Sequence, residues 1–306
     1  MGVGIVNLRI LSILLLAVAC SPATPAPEEA PAAVQPNHST YGTDASLPAS
    51  APDVTLRYAD HPRGFAELRL PQGDGPFPLA VIYHGGCWKT GIASQAYMAP
   101  LATRWQQQGI ATLNVDYREV GDGGGWPGSF TDWAASEKLI EAVATRYPVD
   151  RARVTLVGHS AGALPALWLA MRQGADGPVG AREALKARAA IVLDGPGDVG
   201  PERPTFDALC QFSAVDPFMG GEPQRFPERY KAISPATVTP QLAEVLFVQA
   251  KLPSPSAATL AALGAGGARV MVRENAGASH FAIITPGSPV HAANEAAMLA
   301  VLRGED

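Results

Sequence analysis

The amino-acid sequence predicts an α/β fold: a mostly parallel sheet of about eight strands, with helices on both faces and a small cap insertion. Three observations lead there. The chain is 306 residues long and 47% hydrophobic, enough to bury one large core. From residue 53 onward, segments of strand and helix character alternate. Most of the strand segments are continuously apolar, as strands covered on both faces are, whereas the first two alternate apolar with polar.

V-T-L-R-Y at 54–58 and A-E-L-R-L at 66–70 are the two half-exposed strands, and P-L-A-V-I-Y at 78–83 belongs deep in the sheet. Further apolar strands are predicted at 111–115, 154–157, 189–193, 245–248 and 269–272. Helical patterns fall at 95–108, 131–146, 161–172, 255–263 and 290–303. Pro165, just past the first turn of the third of these, is expected to bend it. Residues 200–240 hold several prolines and no clear period, and are expected to cap the carboxyl edge of the sheet.

The first twenty residues, MGVGIVNLRILSILLLAVAC, carry Arg9 and then a ten-residue apolar segment at 10–19. That segment is too short to span a bilayer and suits the core of an export signal. Its end, L-A-V-A-C at 16–20, resembles the lipobox of bacterial lipoproteins, in which the cysteine, here Cys20, is acylated; Ala17 stands where leucine is commoner. Ordinary signal cleavage and a retained anchor are the alternatives. Residues 21–52 are rich in proline and alanine and have little to bury, so they read as a disordered tether. The expected organisation is therefore a lipoprotein-type export signal at 1–20, the tether at 21–52 and a catalytic domain at 53–306. Such a protein would sit in the bacterial cell envelope, facing the periplasm or outside and touching membrane only through its N-terminal lipid.

A net charge of −5 leaves no basic field for nucleic acid. The three cysteines, Cys20, Cys87 and Cys210, show no metal-ligand spacing, so neither metal nor organic cofactor is expected. Cys87 and Cys210 could pair in an oxidising compartment, although sequence does not give their separation. G-G-G-W-P-G at 123–128 formally satisfies the dinucleotide fingerprint, but no strand directly precedes it and Pro127 lacks an N–H. It reads as a loop lining a pocket. The glycines at 264–267 are a helix-to-strand link.

V-T-L-V-G-H-S-A-G-A-L-P-A-L-W-L-A at 154–170 places Ser160 between a strand and a helix, with Gly158 and Gly162 leaving room for a sharp turn. That setting makes G-x-S-x-G a nucleophile elbow. His84-Gly85-Gly86-Cys87-Trp88 follows the third strand, and glycine N–H groups there can approach a developing oxyanion without side-chain hindrance; Ala161, after the nucleophile, offers another.

HGGCW, V-D-Y-R at 115–118, GGGWPGSF at 123–130 and GHSAG together resemble the α/β-hydrolase superfamily, in its HGG-type esterase branch of hormone-sensitive-lipase-like and kynurenine-formamidase-like enzymes. The resemblance covers about residues 54–304. It implies an α/β-hydrolase fold and a serine esterase acting on a small acyl ester. It also places the base in N-A-G-A-S-H-F after the last strand, and thus assigns His280, the histidine left when those of the tether, the oxyanion loop, the elbow, the first strands and the final helix are set aside.

The branch usually carries its acid after the strand at 245–248, but no Asp or Glu lies between Glu244 and Glu274. A broken enzyme, a Ser-His dyad and an acid from the preceding strand are the competing explanations. Asp194 ends that preceding strand, as in pancreatic-type lipases and platelet-activating-factor acetylhydrolases, and is favoured, with Asp198 behind it. Its role would be to hold the histidine tautomer. Trp88 and Trp126 are expected as apolar pocket walls, with core packing the alternative. Two rival functions remain at this stage: an aryl formamidase, and a non-catalytic lipid-anchored binding protein on a degenerate hydrolase fold.

Overall fold

The computed structural model describes residues 1–2, 48–172 and 186–305; the rest of the segment expected as an export signal, Cys20 and nearly all of the expected tether lie outside the described residues. Eight strands form one sheet: β1 (Val54–Arg57), β2 (Phe65–Arg69), β3 (Phe77–Tyr83), β4 (Ala111–Val115), β5 (Val149–His159), β6 (Ala189–Leu193), β7 (Glu244–Gln249) and β8 (Arg269–Glu274). Their spatial order is β1-β2-β4-β3-β5-β6-β7-β8. β1 and β2 pair antiparallel, as does β2 with β4; every later pairing is parallel. This is the mostly parallel α/β sheet that the strand patterns predict, in the α/β-hydrolase arrangement that the motif resemblance implies.

Helices α1 (Ala99–Gln107), α2 (Gly128–Arg146), α3 (Ala163–Met171), α4 (Val199–Cys210), α5 (Val215–Met219), α6 (Pro227–Lys231), α7 (Ala257–Gly264) and α8 (Pro289–Arg303) complete the chain. The alternate faces of β3 and β5 feed two separate apolar clusters. Leu79, Val81 and Leu156 pack beneath α2 and α3, and Ala80, Ile82 and Val157 beneath α1 and α8. Burial on both faces explains why these strands read as unbroken apolar runs.

Pro165 costs its helix no hydrogen bond. α3 begins only at Ala163, after a separate 3-10 turn over Ser160–Gly162, so the proline falls in the first turn, where no intrahelical N–H is required. The expected cap at 200–240 is helical, comprising α4, α5 and α6. α4 starts on Asp198, whose side chain accepts the Gly200 N–H at 3.2 Å.

Candidate active site

β5 delivers Ser160 at the carboxyl edge of the sheet with φ +56°, a conformation an L-residue adopts only where its surroundings enforce it. Two glycines make the turn sterically accessible. A Cβ on Gly158 would stand 2.0 Å from the Gly162 carbonyl oxygen, and one on Gly162 2.1 Å from that of Tyr83. Trp88 braces the elbow by donating its indole N–H to the Ala161 carbonyl at 3.0 Å.

Asp194 follows β6 immediately and also has positive φ, +46°. Its carboxylate is wholly buried, and four groups stabilise it there. Oδ1 accepts the backbone N–H of Ala250 at 2.9 Å and of Leu252 at 2.9 Å, while the Lys251 N–H lies 2.9 Å from Oδ2. His280 Nδ1 lies 2.6 Å from the same Oδ2. Burial alone would raise the carboxyl pKa; the hydrogen bond and charge of His280, helped by the amides, outweigh it and hold the pKa below the ordinary Asp value. The segment after β7, where the esterase branch usually carries an acid, here contributes main-chain donors to an acid on β6. Asp198 takes no part: it caps α4 and accepts the Ser234 hydroxyl at 2.5 Å.

With Nδ1 donating to Asp194, Nε2 of His280 keeps its lone pair. His280 and Ser160 line one cavity of about 570 Å³, together with Gly86, Tyr97 and Phe281. His159 lines the cavity too, its ring 4.5 Å from that of His280, whereas His61 contacts Asp132 at 3.1 Å, His84 contacts Asp116 at 3.0 Å, and His291 is buried on α8.

The oxyanion loop corrects one expectation. The Gly85 N–H is taken by the buried Tyr97 hydroxyl, so it is not available to substrate. Gly86, with φ +110°, and Ala161, at the start of its 3-10 turn, retain N–H groups without a protein acceptor among the described residues. Tyr97 is part of a longer chain that the sequence does not signal. His159 Nε2 lies 3.1 Å from the His280 carbonyl oxygen, which can only accept, so Nε2 carries the proton. Nδ1 must then accept, and the Tyr97 hydroxyl, 2.8 Å away, donates to it. Burial first, then the neighbouring His280 charge, pushes the His159 pKa down to about 3, which keeps this ring neutral. The oxyanion loop, the elbow and the main chain of His280 are thus joined by one polarised sequence of bonds.

Neither predicted tryptophan walls the pocket. Trp88 is fully buried, stacked on Phe218 at 4.5 Å and tilted against Phe206 at 4.9 Å. Trp126 packs on Phe130 at 4.7 Å, and its backbone N–H donates to the Phe218 carbonyl at 2.7 Å, tying the 123–128 loop to α5. Phe212 and Leu209 from the cap supply apolar wall instead. Cys87 and Cys210 form a disulfide that joins the oxyanion loop to the end of α4.

The family model named BD-FAE matches residues 67–251, from β2 through the segment that holds Asp194. The chain belongs to the BD-FAE family. BD-FAE is an esterase family of the α/β-hydrolase type, and membership makes this chain a carboxylic ester hydrolase. Solved structures share the fold at low identity. A truncated carbohydrate esterase from gut microbiota is 18% identical with a TM-score of 0.61, over 78% of this chain and 92% of its own. Esterase B from Lactobacillus rhamnosis, inhibited by a tributyrin phosphonate, is 17% identical with a TM-score of 0.66, over 84% and 88%. A thermophilic esterase from Thermogutta terrifontis with butyrate bound is 16% identical with a TM-score of 0.63, over 85% and 96%. No curated protein matches the sequence. Asp194 lies inside the span matched to BD-FAE, and His280 lies beyond it.

Proposed function

We propose that this chain cleaves carboxylic esters through an acyl-enzyme on Ser160. Ser160 Oγ attacks the acyl carbonyl while His280 Nε2 takes its proton, and the N–H groups of Gly86 and Ala161 stabilise the charge that develops on the carbonyl oxygen. Collapse of the tetrahedral intermediate breaks the ester C–O bond, and His280 returns the proton to the departing alcohol. Water then repeats the sequence on the acyl-serine, releasing the carboxylic acid. Asp194 fixes the tautomer and stabilises the imidazolium without itself becoming protonated. The observation that carries this reading is the 2.6 Å contact between His280 Nδ1 and a buried Asp194 whose remaining capacity is filled by backbone N–H groups. It supplies the acid that a degenerate hydrolase would lack.

A fluorophosphonate should label the wild-type protein at Ser160, read by peptide mapping, and p-nitrophenyl butyrate hydrolysis should fall in step with labelling. Ser160→Ala should show no adduct. Full labelling at another residue, or turnover that survives stoichiometric labelling, would remove the assignment.

We further infer export and lipid anchoring through Cys20, with residues 21–52 as the tether. The reading is supported by the apolar segment and lipobox-like end of residues 1–20 and by the Cys87–Cys210 bond, since disulfides persist in oxidising compartments. Mass spectrometry of the protein expressed in a bacterial host should find a diacylglyceryl-cysteine at position 20, and Cys20→Ala should release the protein from the membrane fraction. An unmodified mature N-terminus elsewhere in the chain would refute it.

A further inference from the structure

The cavity beside Ser160 carries a charge pattern that the proposed triad does not require. Phe212, Leu209 and Phe281 give it apolar wall. Lys251, an exposed residue, lines it too. Nζ of a second lysine, Lys89, lies 4.7 Å from the ring centroid of Phe212. Asp194 is sealed behind the cavity, with its oxygens taken by His280 and three amides. Among the described residues no other carboxylate lines the cavity; Glu274, at the end of β8, is held by the Ser254 hydroxyl. In a chain of net charge −5, Lys251 is the only Lys, Arg, Asp or Glu among the described residues that line this cavity. Apolar walls strengthen the field of such a charge, because they keep the local dielectric low.

The position of Lys251 bears on which half of the substrate it would meet. Its own amide N–H supports Asp194, and Asp194 supports His280, the group that gives its proton to the departing alcohol. The main chain of Lys251 is thus tied to the base that serves the leaving group, and the residue lines the same cavity. We propose that the cavity selects esters whose alcohol portion carries a carboxylate, with Lys251 as the specificity-determining contact and Lys89 adding to the attraction. This inference rests on the ester-hydrolase reading of the site.

A matched pair of acetate esters tests it. 4-Acetoxybenzoate carries the anion and 4-acetoxybenzamide is its neutral counterpart of nearly equal size. The quantity to follow is the ratio of their kcat/KM values within each protein, which cancels differences in intrinsic reactivity between variants. Lys251→Gln should lower the ratio about threefold to fivefold, Lys251→Glu should lower it further, and Lys251→Arg should preserve it, the size expected of an exposed charge contact. In the wild type, raising ionic strength from about 0.01 M to about 1 M shortens the screening length from about 30 Å to about 3 Å. It should depress kcat/KM for the benzoate alone. A ratio that stays within about twofold of wild type in both Lys251→Gln and Lys251→Glu, or one insensitive to salt, overturns the proposal while leaving ester hydrolysis intact. Failure of the wild type to hydrolyse either acetate ester, together with failure on p-nitrophenyl butyrate, would instead remove the ester reading on which the proposal stands.

Discussion

Asp194→Asn should lower kcat by about four orders of magnitude, the size seen when a triad acid is made neutral without changing its shape. The cause is the direction of one proton. The backbone N–H groups of Ala250, Lys251 and Leu252 need an oxygen to accept them, so the asparagine carbonyl would turn toward them. That leaves its NH2 group facing His280 Nδ1. A donor there forces Nδ1 to accept and moves the ring proton to Nε2, the nitrogen that must take the proton of Ser160. The protein should still fold, since the amide contacts survive. Steady-state hydrolysis of p-nitrophenyl butyrate by both proteins is the measurement. Asp198→Asn, the rival acid in the sequence, should remain within a few-fold of wild type, because Asp198 contacts Gly200 and Ser234 and not His280. Ample activity in Asp194→Asn with a collapse in Asp198→Asn would exchange the two roles.

The second large effect is expected at His159, which does not touch the reacting atoms on the scheme above. His159→Phe keeps a ring of similar size but leaves the His280 carbonyl and the Tyr97 hydroxyl without their partner. Stranding buried polar groups costs about 1–3 kcal/mol each. Where that cost falls on the alignment of base and oxyanion loop, kcat should drop about tenfold to a hundredfold, with KM within about twofold. His159→Gln retains one donor and one acceptor on the same side chain and should recover most of the loss; Tyr97→Phe should resemble His159→Phe. Equal losses in the Gln and Phe variants, accompanied by a matching fall in melting temperature, would mean that the ring serves packing only.

Much of the architecture is legible in the residues because both faces of the central strands are covered, which turns β3 to β7 into apolar runs that no surface segment imitates. The cap is less legible for the opposite reason. α5 and α6 span five residues each, too short for a 3.6-residue period to register, and α4 carries Pro204 and a mixed surface. Its anchor is tertiary: Phe206 against Trp88, and the Cys87–Cys210 bond. Within the site, Ser160 is visible because two glycines flank it between a strand and a helix, and His280 because histidines are scarce and its place after the last strand distinctive. Asp194 is visible because a carboxylate ending a buried strand demands a partner. Which glycine N–H stays open is not visible, since Tyr97 occupies that of Gly85 from twelve residues away. Trp88 has φ +53°, like Cys87 before it, and lies buried in the core; nothing in the order of residues announces that turn.

The cradle around the acid has an evolutionary corollary. Main-chain amides are offered by every amino acid except proline, so positions 250–252 can change identity without disturbing the group they support. Leu252 is buried in the core and Ala250 packs against it. Lys251, the exposed one of the three, is therefore free to drift, or to be randomised in a library, while the engine behind it keeps its alignment. New substrate ranges would be reached there first, and a proline at any of the three sites would be the one change to shut the enzyme down.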